Sequence, residues 1–258
     1  MRFVTSPPPE ALQGSVRELW QLEDDGGFHA GLPKPWVELV VSLAGVHWWR
    51  SAPAGREHRF VEGWVTPIQT GPRHARAVGR RALIGARLEP WAARALFGPL
   101  PPGDGAPPPR LRALIGPEAR TLRRRLLAAR GEAERFATLA EWLLAQPALL
   151  RAGVDMRPLP RARDLASAMA VSARSLRRRF AAEIGMPPKR WLELHRLDAV
   201  LRALREADDV APLADIAVRH GFADQAHLSR EVGRWTGATP RRLQRRAAGL
   251  PPHLLPGG

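Results

Sequence analysis

The 258-residue chain contains no cysteine, which excludes disulfide bonds, thiolate zinc sites, iron–sulfur clusters and cysteine nucleophiles. It also contains no apolar run of 18 residues, so the sequence predicts no transmembrane helix. The N-terminal stretch MRFVTSPPPE lacks the apolar core of a signal peptide. We therefore expect a cytoplasmic protein that does not enter a membrane.

Two common catalytic signatures are missing as well. No glycine-rich phosphate loop precedes a predicted helix, and no Gly-x-Ser-x-Gly nucleophile turn occurs. The eight histidines are dispersed, and His29, His47, His58 and His74 lack a spacing typical of metal ligands. We expect neither an enzyme nor a metal or organic cofactor.

Lysine is nearly absent, because all but Lys34 and Lys189 of the 40 basic residues are arginine. With 25 acidic residues the formal net charge is +15, which favours a polyanionic partner such as nucleic acid or an anionic membrane. A coding bias toward arginine would produce the same excess as a solvated surface, so charge alone does not decide. Residues 151–258 hold 20 basic and 11 acidic residues and are the more basic part per residue.

The N-terminal part of the chain predicts strands followed by helices. Apolar runs between glycine and proline predict strands within 37–45, 59–68 and 81–89. A short helix is predicted over 90–98, and two more within 117–146. The apolar stripes of these two helices consist of Leu122, Leu126 and Leu127, and of Phe136, Leu139, Ala140, Leu143 and Leu144. Core packing is the usual role of such stripes, and a homodimer interface is the alternative.

Six of the nine tryptophans lie in the first hundred residues. Their usual role is to fill a core. Trp48 and Trp49 are adjacent, however, so in a strand they point to opposite faces and one of them is available to line a pocket or an interface. We take Trp48, Trp49 and Trp64 as the candidate residues of a ligand pocket.

The C-terminal part contains an internal repeat. One copy is DLASAMAVSARSLRRRFAAEIGMPPKRW from Asp164, and the other is DIAVRHGFADQAHLSREVGRWTGATPRRL from Asp215. The copies are 51 residues apart at first and 52 apart after the Gly221-Phe222 turn, where one residue is added. Each copy predicts a short helix, a tight turn and a longer helix that ends at glycine. This is the helix-turn-helix pattern, whose second helix can lie in the DNA major groove.

Helical spacing gives each longer helix a buried face and an outward face. The apolar stripes consist of Leu176, Phe180 and Ile184 in the first copy and of Leu228, Val232 and Trp235 in the second. The residues that face away from the stripes are Arg174 and Arg178, and Ala226, Arg230 and Arg234. The outward positions early in each longer helix are those that would contact base edges.

Residues 187–209 predict a long amphipathic helix between the copies, with the stripe Trp191, Leu194, Leu197, Leu201 and Leu204. A helix of about 19 residues is roughly 28 Å long. With the turns added, the two reading helices would lie about 34 Å apart, which is one turn of B-DNA. One monomer could then occupy two successive major grooves.

Residues 162–246 closely resemble the DNA-binding domain of AraC/XylS-type bacterial transcription regulators. The resemblance rests on LASAMAVSARSLRRRFAAEIGMPPKRWLELHRL and LADIAVRHGFADQAHLSREVGRWTGATPRRLQ. The family usually has aromatic residues at the positions of Trp191, Leu228 and Val232, and only Trp191 keeps one. PPPEALQGSVRELWQL, VELVVSLAG and LIGARLEPWAARALFG are similar to an uncharacterised sensor-like domain of such regulators, which implies an effector or dimerisation module.

The resemblance also implies which side chains contact DNA. The base-reading positions fall on Arg174, Arg177, Arg178, Gln225, Ala226, Ser229 and Arg230. Because alanine offers only methyl contact to thymine, the first reading helix is expected to supply more of the hydrogen-bonded readout. We expect phosphate contacts from Arg179, Lys189, Arg190, Arg234, Arg241 and Arg242.

The predicted fold class is α+β. Residues 1–150 are expected to form a β-rich domain, most simply a small barrel, with flanking helices, and residues 151–161 a linker. Residues 162–246 are expected to form the all-α double helix-turn-helix domain, and residues 247–258 a flexible tail.

The predicted function is sequence-specific binding of double-stranded DNA by a transcription regulator. Further expected partners are a small-molecule effector of unknown identity, a second copy of the chain and, for an activator, RNA polymerase. A sequence-blind architectural DNA-binding protein is the alternative.

Overall fold

The computed structural model of the chain describes residues 1–50, 55–101, 103, 105–150, 162–206, 212–246 and 254–256. The predicted linker at 151–161 lies wholly outside this range, so the domain boundaries stay a prediction. The α+β fold class is confirmed, because an antiparallel sheet precedes a set of helices.

The sheet is built from eight strands, all paired antiparallel. They are β1 (Arg2–Ser6), β2 (Val16–Asp24), β3 (Gly27–Gly31), β4 (Val37–Arg50), β5 (His58–Phe60), β6 (Gly63–Thr66), β7 (Arg73–Leu88) and β8 (Leu254–Pro256). The long strand β7 lies in the centre: it pairs with β4 over most of its length and with β2 and β3 on its other side. The predicted strand at 59–68 is divided into β5 and β6.

The sheet is open, so the small barrel expected from the sequence is wrong. β1 forms one edge, while β5 and β6 flank β4 at the other, and among the described strands no ladder joins these edges. Register shifts around Ala44 interrupt the β4–β7 ladder, and Gly45 there has a φ of +92°. Such bulges bend a strand and increase its twist, which curves the sheet without closing it.

Alternation along the strands gives the sheet two different faces. One face carries Leu39, Val41, Ile84 and Leu88, which belong to the main apolar core. The other carries a smaller cluster of buried apolar side chains, namely Trp20, Leu22, Val40 and Leu83. The second face is therefore not covered by the main core.

Four helices follow the sheet: α1 (Pro90–Phe97), α2 (Leu111–Ile115), α3 (Glu118–Ala128) and α4 (Glu132–Leu144). The predicted helix at 90–98 is confirmed, with Pro90 in the first turn and Gly98 as its cap. The predicted stripes in α3 and α4 are buried, apart from the half-buried Ala140 and Leu144 and from Leu127, which is 45% exposed. Leu127 lies about 140° around the helix from Leu122, so it falls off the buried face.

The C-terminal part contains six helices, namely α5 (Ala162–Ala168), α6 (Ala173–Glu183), α7 (Pro188–Glu206), α8 (Leu213–Arg219), α9 (Gln225–Thr236) and α10 (Pro240–Arg246). Helices α5 and α6 form the first helix-turn-helix unit, and α8 and α9 form the second. Helix α7 connects them with the predicted 19 residues. No helix in the described part of the chain is long and apolar enough to span a bilayer.

Of the flexible tail expected over 247–258, residues 247–253 and 257–258 lie outside the described residues. Residues 254–256 form β8, which pairs antiparallel with Gly31, Ala30 and His29 of β3. The outer edge of β3 offers unpaired backbone N–H and C=O groups, and an added strand satisfies them.

The first helix-turn-helix unit packs directly against the sheet part through α7. Trp191 is fully buried, and its indole N–H donates a hydrogen bond to the carbonyl oxygen of Pro35 at 3.2 Å. Its ring also meets those of Trp91 in α1 and Phe180 in α6, edge to face. The main apolar core therefore continues from the sheet into the helix-turn-helix part.

Candidate functional site

The first reading helix is α6, and its start is fixed by a side-chain cap. The hydroxyl of Ser172 accepts a hydrogen bond from the backbone N–H of Ser175 at 3.1 Å, which satisfies one of the free donors at the helix N-terminus. Leu176 and Phe180 are buried beneath the helix, as predicted. Gly185 follows the helix with a φ of +79°, a conformation that favours glycine.

The arginines of α6 lie on the opposite face. The predicted base-reading residues Arg174, Arg177 and Arg178 are all exposed. Arg174 and Arg178 make no ion pair with any described residue, so their guanidinium groups are available to a ligand. Arg179 is exposed on the flank and pairs with Glu183 at 3.4 Å.

The second reading helix, α9, begins after a turn at Gly221. Gly221 has a φ of +73°, and a Cβ there would meet no atom within 4 Å, so the backbone conformation requires glycine rather than a close approach of helices. The carboxylate of Asp224 accepts a hydrogen bond from the backbone N–H of His227 at 2.6 Å and caps the helix. Gly237 ends it in the left-handed conformation.

The buried and outward faces of α9 follow the predicted division. Leu228, Val232 and Trp235 are buried, and the turn residue Phe222 is buried with its ring 5.3 Å from that of His227. The predicted base-reading residues of this helix are exposed at Gln225, Ala226 and Arg230 and half-buried at Ser229.

The predicted phosphate contacts surround the two reading helices. All six predicted residues are exposed, namely Arg179, Lys189, Arg190, Arg234, Arg241 and Arg242. Arg234 is held by Glu231 at 2.6 Å and by Glu193 at 3.8 Å. Its charge is therefore partly neutralised within the protein.

A second candidate site lies on the sheet face that the main core leaves uncovered. A cavity of about 130 Å³ there is lined by the aromatic side chains Phe3, Trp20, Trp48, Trp49, Phe60 and Trp64. The three tryptophans predicted as pocket residues, Trp48, Trp49 and Trp64, thus line one cavity. The guanidinium group of Arg73 lies 5.4 Å from the ring of Trp49, and that of Arg76 lies 4.9 Å from Trp48.

Buried cations give the cavity its polar character. Lys34, Arg73, Arg81 and Arg87 all line it and are nearly inaccessible to solvent. Glu38 pairs with both Lys34 and Arg87, and Asp24 and Glu18 pair with Arg81 and Arg87 from the margin. Burial lowers the pKa of Lys34 to about 8, although Glu38 opposes this shift.

These polar lining residues were not predicted from the sequence. They lie on β7, near the start of β4 and in the loop between β6 and β7, and only strand pairing brings them together. The spacing of Arg81, Leu83, Gly85 and Arg87 at every second position was the available signal, because it puts all four on one face of β7.

His47 is a buried neutral histidine beside this cavity. Its Nε2 lies 2.9 Å from the hydroxyl of Ser42 and 3.3 Å from the carbonyl oxygen of Ala44. Burial lowers its pKa to about 4, and the nearby Arg81 guanidinium acts in the same direction, while Asp24 opposes it. The unfolded chain therefore takes up the proton first as the pH falls.

We expect this histidine to make the protein less stable in mild acid. Its contribution is complete above a pH of about 6.5 and is lost as the pH falls toward about 4. Between pH 6.5 and pH 5 the loss should be about 1.5 kcal/mol, because the slope rises toward about 1.4 kcal/mol for each pH unit only below pH 6.5. Urea unfolding at several pH values, compared with His47→Gln, measures it. An equal pH dependence in both proteins would contradict the assignment.

Comparisons with known proteins agree with the C-terminal geometry. Residues 165–246 match the family model described as a helix-turn-helix domain. The chain is similar to an AraC-like transcription regulator of Streptomyces antibioticus, with 40% identity over 77 residues. This match covers 30% of the chain and 25% of the relative, so the chain spans about a quarter of the relative's length.

Two solved structures are also similar. ToxT from Vibrio cholerae matches 89% of this chain and 99% of its own, with 8% identity and a TM-score of 0.48. The C-terminal domain of AraT, a response regulator from Geobacillus stearothermophilus, matches 34% of this chain and 71% of its own, with 24% identity and a TM-score of 0.30. The repeat, the capped helices and the family match agree with one another, and residues 165–246 form a helix-turn-helix domain.

Proposed function

We propose that the chain is a sequence-specific DNA-binding regulator of transcription that acts by binding and not by catalysis. The observation that carries this proposal is the pair of matched helix-turn-helix units, each with a capped reading helix whose polar face is exposed. The 19-residue α7 is roughly 28 Å long and holds the two units apart. With its turns this matches the repeat of B-DNA, about 34 Å, so α6 and α9 enter successive major grooves.

The two reading helices contribute differently to this function. Helix α6 presents the exposed Arg174, Arg177 and Arg178 to the bases, and an arginine can form two hydrogen bonds with guanine. Helix α9 presents Gln225, which suits adenine, together with Ala226, Ser229 and Arg230. The proposal therefore assigns more of the hydrogen-bonded base readout to α6.

Arg178→Ala should weaken binding to the preferred site by about 1–3 kcal/mol and relax base preference at one or two positions. Arg179→Ala is the matched control, because Arg179 is the next residue, is equally exposed and faces the flank. It should weaken binding to preferred and random DNA to a similar extent. Selection of sites from a random library, followed by titration of both variants, gives the result. Equal losses on both DNAs for Arg178→Ala would make this arginine a phosphate contact.

The salt dependence of binding separates this function from that of a sequence-blind architectural protein. Phosphate contacts release counterions and weaken with added salt on any DNA. A regulator keeps a large preference for its selected site over random DNA as salt rises, because base contacts supply that preference. If the preference is absent at every salt concentration, the chain is an architectural DNA-binding protein.

We further propose that residues 1–150 form a sensor or dimerisation domain, joined by the linker 151–161 to the DNA-binding domain. The cavity on the exposed sheet face supports this role, since small-molecule sites are concave, largely apolar and contain a few polar groups. The contact between Trp191 and Pro35 supplies a route from this domain to the first reading unit. Contact with RNA polymerase is added if the regulator is an activator.

A further inference from the structure

Three buried N–H donors in the sheet cavity have no hydrogen-bond partner among the described residues. They are the indole N–H groups of Trp20 and Trp49 and the side-chain amide of Gln69. All three side chains are more than nine-tenths buried. Buried donors are nearly always satisfied in folded proteins, and leaving one unpaired costs about 1–3 kcal/mol. Three such donors around one cavity indicate a ligand that accepts hydrogen bonds.

The charges around the cavity indicate which charge that ligand carries. Lys34, Arg73, Arg81 and Arg87 line it, whereas Glu38 is the only acidic residue among the described lining residues. His29 and His47 add no charge, because burial lowers the pKa of both side chains and keeps them neutral. Glu38 and the marginal Asp24 and Glu18 pair with Lys34, Arg81 and Arg87. Four buried cations against three carboxylates leave one excess positive charge around the cavity, which favours an anion over a cation.

The remaining lining defines the body of the ligand. Six aromatic rings surround the cavity, and such rings pack against flat apolar groups. The volume, about 130 Å³, is close to that of a protein cavity of about 150 Å³ that holds one benzene ring. The space therefore fits a single ring with a small polar substituent.

We propose that this cavity binds a small single-ring aromatic carboxylate, whose oxygens accept hydrogen bonds from Trp20, Trp49 and Gln69. This inference rests on the proposed role of residues 1–150 as a sensor domain and gives the chemical class of its ligand. Entry of the anion would also favour the charged form of Lys34.

Benzoate, 4-hydroxybenzoate and phenylacetate are the probes, with benzamide and benzylamine as the neutral and cationic counterparts. Titration calorimetry and thermal unfolding of the full chain should show binding and stabilisation by at least one of the acids. Benzamide should bind about tenfold more weakly or worse, because its amide lacks the charge, and benzylamine should not bind. The proposal is overturned if none of the acids binds, or if benzamide binds as tightly as benzoate.

Variants identify the atoms responsible. Trp49→Phe keeps an aromatic ring and removes the N–H, and Gln69→Met keeps the length of the side chain and removes the amide. Each should weaken binding of the acid about tenfold. Trp64→Phe is the matched control: Trp64 lines the same cavity but remains partly exposed, and its indole is not among the buried unpaired donors. Equal weakening in all three variants would refute the assignment of these donors.

Binding of the selected DNA site is measured on the same samples without any acid. A chain that binds its site but responds to none of the acids refutes the ligand class alone. A chain that binds the acids but shows no preference among DNA sequences refutes the proposed function, and the cavity assignment stands.

Discussion

Trp191→Ala is expected to lower the free energy of unfolding by about 3–5 kcal/mol, the usual cost of removing a large buried aromatic side chain. Trp191 is fully buried and is in contact with both parts of the chain. Its indole N–H donates to Pro35 of the segment before β4, and its ring lies 6.4 Å from Trp91 and 5.6 Å from Phe180. The substitution therefore removes a contact between the sheet part and the first reading unit, in addition to core volume.

A double-mutant cycle with Trp91→Ala isolates the contact between the two parts. If the rings interact as the structure shows, the two substitutions should be non-additive by about 0.5–1.5 kcal/mol in urea unfolding. Trp235→Ala is the matched control, because this buried tryptophan of α9 has its described ring contacts with Arg190 and Arg234 instead. Combined with Trp91→Ala it should be additive. Additivity in both cycles would show that the two parts are not coupled through Trp191.

The helix-turn-helix part could be predicted from the sequence because its signals are local. Each reading helix has its cap, apolar stripe and terminal glycine within about fifteen residues, and the repeat presents these signals twice. Helix α7 also has the predicted length. Stripes spaced at three and four residues depend only on helix geometry, so no knowledge of the rest of the fold was needed.

The sheet part could be predicted only in outline. Runs rich in Val, Leu and Ile indicated the first part of β4 and the last part of β7, but both strands extend beyond those runs into segments rich in charged and aromatic residues. Those segments are held by cross-strand pairing, which joins Trp48 to Arg76 and Trp49 to Ala75. Pairing across a register shift has no local sequence signature, so neither the open edges nor the curvature could be foreseen.

The cavity and the contact between Trp191 and Pro35 depend on residues far apart in the chain. Trp20, Trp49 and Gln69 come from β2, β4 and the loop after β6, and Pro35 and Trp191 are 156 residues apart. Tryptophan composition suggested a pocket, but only the folded structure shows which indole groups lack an acceptor. Whether a buried donor finds an acceptor depends on the assembled core, and no periodicity in the sequence can predict it.

Phe222→Ala is expected to destabilise the DNA-binding domain by about 3–5 kcal/mol, while Arg230→Ala should leave stability within about 0.5 kcal/mol of the parent protein. Phe222 is 7% exposed, its ring meets that of His227 edge to face, and the Arg196 guanidinium lies 4.6 Å from it. The alanine variant therefore leaves a cavity beneath the start of α9. Arg230 is exposed on the opposite face and makes no ion pair with any described residue.

The effects of the two substitutions on DNA binding should be the reverse of their effects on stability. At a temperature where both variants are folded, Arg230→Ala should weaken binding to the selected site by about 1–3 kcal/mol, as for loss of a paired base contact. Arg219→Ala is the control, because Arg219 is equally exposed but lies on α8 outside the reading helix. It should change both stability and site preference little. If Arg230→Ala unfolds the domain while Phe222→Ala leaves its melting temperature unchanged, the two faces of α9 are assigned wrongly. The buried ring should support the fold and the exposed guanidinium should contact DNA, and that result would reverse both roles.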